Sequence, residues 1–225
     1  QIPTSGLVAW YPFNGNTTDE TGHGYNISNF GANLTTDRFG SNNSAYDFDG
    51  TNAYMLIADA AKILTYDAKT DAYTISLWVN FSSTPGRHIH VIMDKIDTGP
   101  YSYYLNLVGD TKKMFFGPND GTNDLSLTEG NTVYETNKWY HLVEVTSDSV
   151  MKLYVNGVLD NTLNIPPSFG SSKRTTNAVA IGTYFNSPTD PVDKMTGKID
   201  DIRIYNRALN EDEILALYYE YELLA

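Results

Sequence analysis

Short runs rich in Val, Ile, Tyr and Phe recur about every dozen residues, separated by clusters of Gly, Asn, Asp and Thr. That rhythm belongs to strands and turns, and it leaves little room for helices. The runs are Gly6–Phe13, Ala45–Phe48, Ala53–Ile57, Tyr73–Phe81, His88–Asp94, Tyr101–Val108 and Lys113–Phe116. They continue with Leu125–Thr128, Trp139–Thr146, Val150–Val155, Val158–Ile165, Ala178–Gly182 and Gly197–Tyr205. So many strands in 225 residues predict an all-β, two-sheet antiparallel sandwich. Ser147-Asp148-Ser149 joins one hairpin, and Asn156-Gly157 between Val155 and Val158 is the residue pair a type I′ turn demands. A helix is expected at the C-terminus, where Asn210 and Glu213 form a capping box before Ile214, Leu215, Leu217 and Tyr218. A second short helical piece is expected over Asp59–Leu64.

The length suits one domain, 1–225, with Gln1–Ser5 read as the remnant of a linker. The chain has no cysteine, which excludes disulfides, cysteine zinc sites and thiol nucleophiles. No stretch is apolar for long enough to span a membrane as a helix. Lys and Arg number 15 against 27 Asp and Glu, for a net charge of −12. That balance argues against nucleic acid, whose sequence-independent binding needs a basic field. It favours calcium, neutral ligands or solubility. The 17 tyrosines offer flat apolar rings with polar tips, suited to packing and to stacking on sugars.

The opening "GLVAWYPFNGNTTDETGHGYN" is followed in order by "AYDFDGTNAYMLI", "YTISLWVNF" and "NKWYHLVEVTSDSVMKLYVNGVL", and the chain closes with "AIGTYF" and "TGKIDDIRIYNRALNEDEILALY". From Gly6 to Tyr218 this resembles the laminin-G-like, concanavalin A-like jelly rolls that bacteria append to secreted polysaccharide-degrading enzymes and surface proteins. The resemblance implies a jelly roll with one concave sheet, adjacent termini, and a secreted or cell-surface location. It implies packing roles for Trp10, Trp78 and Trp139 and a buried, hydrogen-bonded structural role for His141. Met195 stands where the family usually places an aromatic.

Calcium wants several hard oxygens in flexible geometry. Asn14, Asn16, Asp19 and Asn26 lie on a glycine-rich opening loop, and Asp200 and Asp201 on the last strand. If the terminal strands pair, these carboxylates come near one another; Asp49 is a further candidate. The resemblance implies a structural calcium here. The alternative is that Asp19 and Asp49 cap turn amides and that Asp201 meets Arg203 or Lys198.

Catalysis finds little support. A retaining glucanase needs two carboxylates about 5 Å apart, and no predicted strand carries such a pair. The acid run Glu211-Asp212-Glu213 opens the helix, where it complements the dipole. Arg87–Ile92 carries a faint likeness to a strand of jelly-roll alginate lyases, but the companion motifs of that family are missing. The chain is therefore read as a non-enzyme. The resemblance implies a carbohydrate-binding module that accompanies a catalytic domain of the same parent chain. In "YSYYLNLVG" Tyr103, Leu105 and Leu107 share one face, while Ser102, Tyr104 and Asn106 share the other and are expected to line an open concave surface. His88 and His90 join them from a neighbouring strand, and Tyr184 is a loop-edge platform. Arg87, Lys95, Lys112 and Lys113 gather nearby, which suits a sulfated or uronic polysaccharide. The other reading is an adhesive, protein-binding or spacer domain, which would use the tyrosine-rich tail against a partner.

Overall fold

In the computed structural model, which describes residues 1–58, 64–83, 88–93, 100–172, 178–187 and 189–220, the predicted runs become strands. In chain order they are β1 (Leu7–Tyr11), β2 (Ile27–Phe30), β3 (Asn33–Thr35), β4 (Ala45–Asp49), β5 (Tyr54–Ala58) and β6 (Tyr73–Phe81). The middle of the chain gives β7 (His88–Met93), β8 (Tyr104–Val108), β9 (Lys113–Phe116), β10 (Thr128–Val133), β11 (Trp139–Ser147) and β12 (Val150–Val155). The last are β13 (Val158–Asn164), β14 (Ala178–Ile181), β15 (Tyr184–Ser187), β16 (Asp190–Val192) and β17 (Thr196–Tyr205), followed by the helix α1 (Glu211–Tyr218).

Two antiparallel sheets face each other, as in a concanavalin A-like jelly roll. The first runs β13-β12-β11-β6-β17-β4-β3, with β1 also paired to β17; the second runs β10-β9-β8-β7-β14-β5-β2. The ten-residue β17 organises the first sheet. One edge pairs with β6 throughout, while the other pairs with β4 over Thr196–Ile199 and then with β1 over Ile202–Tyr205. The chain's opening and closing strands are thus neighbours, as the resemblance implies. Gly197 lets β17 run this close to β6: at φ 141°, an added Cβ would lie 2.1 Å from the Asn80 carbonyl oxygen.

Alternation decides what fills the space between the sheets. Tyr73, Ile75, Leu77, Val79 and Phe81 of β6 point inward and meet Leu105 and Leu107 of β8 in one buried cluster. Each such side chain contributes roughly 1.5–3 kcal/mol by leaving water. A second cluster lies outside the first sheet, where Ile214 and Leu217 of α1 pack on Val143, Val145, Tyr154 and Tyr205. The predicted capping box is present, with the Glu213 amide donating to Asn210 and the Asn210 amide to Glu213. Asn156 and Gly157 take φ of 52° and 78°, as a type I′ turn requires. Met195 is fully buried.

Some expectations shift. The predicted strand Leu125–Thr128 is a turn, and β10 begins where it was expected to end. The cause is Asp124, whose carboxylate accepts from both the amide and the hydroxyl of Ser126 and closes the chain on itself. Tyr101 makes only an isolated bridge to Asn119 ahead of β8. The helical piece expected over Asp59–Leu64 falls, but for Leu64, outside the described residues.

Candidate functional site

Outside the second sheet a third cluster joins Met93, Tyr101, Tyr104, Ala180 and Phe185, with Tyr54, Leu56, Phe115 and Tyr184 packed around it. Phe185 of the β15–β16 hairpin packs with Ala180 in this cluster. The Phe185 ring reaches Tyr54 edge-on at 5.7 Å and Tyr184 reaches His90 at 5.1 Å. His90 also meets Tyr104 edge-on at 5.5 Å and lies 6.2 Å from His88. The Asn106 side-chain amide and His88 Nδ1 share a hydrogen bond at 2.6 Å.

Five residues expected at a binding site, His88, His90, Tyr104, Asn106 and Tyr184, therefore come together. The sixth, Arg87, lies outside the described residues, as does Lys95. The alternation of β8 is as expected, but its outer face is not open. Tyr104 is 7% exposed and Asn106 not at all; Tyr104 packs in the cluster with Phe185 and the Tyr101 ring, and Asn106 lies against His88. Burial also pushes the Tyr104 and Tyr101 phenols well above their ordinary range, so both stay protonated. Only His88 is exposed and Tyr184 half-exposed. Tyr104, Asn106 and His90 form the layer that holds them in place.

Beside His88 opens a cleft of about 600 Å³. Its walls include Asp49 at the end of β4, Thr51 from the β4–β5 turn, Ser83 beyond β6, Asp193 and Lys194 between β16 and β17, and Thr196 at the start of β17. Lys194 and Asp193 carry no sequence motif; only the hairpin's return to β17 brings them to His88. The Asp49 carboxylate accepts from the amides of Ala53, Thr51 and Asn52 at 3.0, 2.8 and 2.8 Å, which holds it well below the usual carboxylate range. The expected basic cluster is diluted here: Lys113 pairs with Glu129 at 3.5 Å.

A second polar centre sits outside the first sheet. Asp201 takes φ 49° within a bulge of β17, so Asp200 and Asp201 reach the same arginine, where a regular strand would send neighbours to opposite faces. Arg38, from the β3–β4 connection, pairs with Asp200 and lies 3.7 Å from Asp201. Its guanidinium is 4.4 Å from the Phe39 ring centroid and 4.7 Å from that of Trp78. Arg203 forks onto Glu220 at 2.8 Å twice and meets Asp201 at 3.1 Å. Burial pushes the Asp200 carboxyl up to about 8, against the pull of Arg38. Trp78 stacks on His141 at 5.0 Å, and His141 is buried with its Nε2 on the Ser76 hydroxyl at 2.9 Å. Trp10 donates its indole N–H to Asp201 at 2.7 Å. Trp10 therefore serves hydrogen bonding and Trp78 packing, and Trp10 and Trp139 are both half-buried.

The same partners bear on calcium. Asp19 and Asp201 converge on Trp10, but Asp19 accepts from the amides of Trp10, Thr21 and Tyr25 and from the Thr21 hydroxyl. Asp49 stands apart in the cleft, capping its turn. No group of three or more His, Asp or Glu side chains in cation-holding geometry occurs among the described residues.

Comparison with known proteins places this geometry. The family described as the concanavalin A-like lectin/glucanases superfamily, laminin G type, matches residues 49–215. No curated protein sequence matches the chain. Domain 4 of AbnA, an extracellular arabinanase from Geobacillus stearothermophilus solved with arabinotriose, is 20% identical with a TM-score of 0.65, over 94% of this chain and 98% of that one. Botulinum neurotoxin type C, whose cell entry depends on two ganglioside molecules, is 17% identical with a TM-score of 0.70, over 96% of this chain and 51% of that one. A Trypanosoma rangeli sialidase is 17% identical with a TM-score of 0.68, over 96% of this chain and 33% of that one. In the toxin and the sialidase this fold is one part of a longer chain. No helix among the described residues is long and apolar enough to cross a membrane.

Proposed function

We propose, from the premise that the chain belongs to the concanavalin A-like lectin/glucanase superfamily, that it is a non-catalytic carbohydrate-binding module whose glycan sits in the His88 cleft. The observation that carries this reading is the cleft itself: about 600 Å³ with a buried aromatic layer beside it and an exposed imidazole, two carboxylates, an ammonium and hydroxyls on its walls. Sugars present both donors and acceptors, and a concave site with a few convergent polar groups is how proteins take them. Tyr184 adds a ring next to these groups.

Asp49 and Asp193 outnumber Lys194 on the described walls, so a neutral glycan suits the cleft better than a sulfated or uronic one. The arabinotriose bound by the arabinanase domain supports the same class. A lyase would need His90 and Tyr104 to reach substrate, and both are buried. In this reading the module acts outside the cell, on a secreted or surface protein, and delivers a catalytic partner to its polymer. A structural calcium would draw on Asp19, Asp200 and Asp201 and would require Arg38 and Arg203 to turn aside. Protein contact is a second reading, favoured by Leu127, Val133 and Val158, which are 64%, 56% and 68% exposed.

Affinity electrophoresis against linear arabinan, xylan, mixed-linkage β-glucan, galacturonan and chondroitin sulfate tests the proposal, with and without EDTA. The expected result is retardation by a neutral member, weakened about tenfold in His88→Ala and in Tyr184→Ala. No retardation by any glycan would move the assignment to protein contact. A melting temperature lowered by EDTA would support calcium; an unchanged one would leave these carboxylates to their arginines.

A further inference from the structure

The cleft does not end at Lys194. The ammonium of this residue, which lines the cleft, lies 5.6 Å from the centroid of the Tyr54 ring, on the outer face of β5. Tyr54 sits directly opposite Phe30 in the β2–β5 ladder. The two rings stack in parallel, 4.7 Å apart and 8° from coplanar. Phe30 is 43% exposed although it lies on the edge strand of the sheet, where a phenylalanine gains little from the core. Tyr54 in turn meets Phe185, whose hairpin also carries Tyr184. Lys194 and the Tyr54 ring thus connect the cleft to the exposed Phe30 at the sheet edge.

We infer that Phe30 and Tyr54 form a second subsite for the same glycan, which makes the module a reader of oligomers rather than of single sugar units. This inference rests on the carbohydrate-binding reading above. From β7, which carries His88, the path to β2 crosses β14 and β5, and three strand spacings amount to about 14 Å. That distance exceeds a single sugar ring, so a ligand that engages both His88 and Phe30 must be an oligomer. Tyr54 holds one face of the Phe30 ring, and the rest of the ring is the surface offered to solvent. An aromatic face takes the C–H side of a pyranose or furanose and leaves its hydroxyls to water. No charged side chain needs to meet the sugar at this end, which agrees with the neutral class favoured at the cleft.

The test uses a length ladder of oligosaccharides from whichever panel polysaccharide is retained, titrated into the wild-type protein, Phe30→Ala, Phe30→Trp and His88→Ala. The wild type is expected to gain affinity as the oligomer lengthens. Phe30→Ala is expected to keep the affinity for the shortest bound oligomer and to lose about tenfold on the longest, while Phe30→Trp retains that gain. His88→Ala weakens every length. Phe30→Ala indistinguishable from wild type along the whole ladder would overturn the second subsite and leave the cleft reading intact. A wild type that binds every length equally would do the same, and a wild type that binds no glycan would remove both. Because Phe30 lies on an edge strand and is largely exposed, an unchanged melting temperature in Phe30→Ala is expected, and a loss on the ladder then reports binding alone.

Discussion

Acidification from pH 7 to pH 4 is expected to remove about 3 kcal/mol of stability through His141 alone. Burial holds the folded imidazole at about 3, with Asp201 pulling it up and Arg38 and Arg203 pushing it down. The unfolded ring titrates near 6.5. A base whose folded value is depressed binds fewer protons folded than unfolded, so stability is fully present above pH 6.5 and drains away as pH falls toward 3. The cause is local: the ring is fully buried against Trp78, 5.0 Å away, and Tyr218, 6.1 Å away, with the Ser76 hydroxyl on Nε2. His141→Gln keeps a polar partner for Ser76 and removes the charge. Denaturant unfolding at each half unit of pH should show the variant losing up to about 1 kcal/mol per unit less than wild type between pH 6.5 and 4. Parallel profiles for the two proteins would refute this account of the histidine.

Removing Arg38 should cost about as much at a pH above the titration of Asp200. Asp200 and Asp201 are 2% and 5% exposed. Without the guanidinium between the Phe39 and Trp78 rings, two adjacent buried carboxylates would share Arg203 alone. Breaking a buried pair by deleting one partner typically costs about 3–5 kcal/mol, because the remaining charge is stranded. Arg38→Met, which preserves the apolar stem, is thus expected to melt roughly 10 °C lower than wild type at pH 9.5, where the Asp200 carboxyl, held at about 8 in the wild type, is ionised. Adding Asp200→Asn removes the stranded charge and should recover part of the loss, a coupling on the order of 1–3 kcal/mol. Additive losses in the double variant would show that Arg38 acts through packing rather than through charge.

Much of this fold is legible in the sequence because the signals are local. The alternation in "YTISLWVNF", the Asn156-Gly157 turn and the Asn210/Glu213 cap each specify their own geometry, and all are present. The strands that escape notice are β2, β3, β15 and β16, whose short, polar sequences such as "ISNF" and "NLT" mark edges and an added hairpin rather than core. That omission matters for the site. Phe185 of the hairpin packs in one cluster with Tyr104, which supports the surface instead of forming it, and the hairpin alone carries Asp193 and Lys194 to His88. Arg38 stands in the turn "TTDRFG", where nothing nearby in sequence points to Asp200, 162 residues away. The acids themselves were visible, but the bulge at Asp201 that turns both toward one arginine was not.

The chain's four histidines make the central claim directly measurable. Imidazole resonances of His23, His88, His90 and His141 can be assigned by substitution and followed while the retained oligosaccharide is titrated in. The account predicts that His88 moves with the binding isotherm, His90 moves less, and buried His141 and the opening-loop His23 stay where they are. Movement at His23, with His88 unaffected, would contradict the cleft as the glycan site.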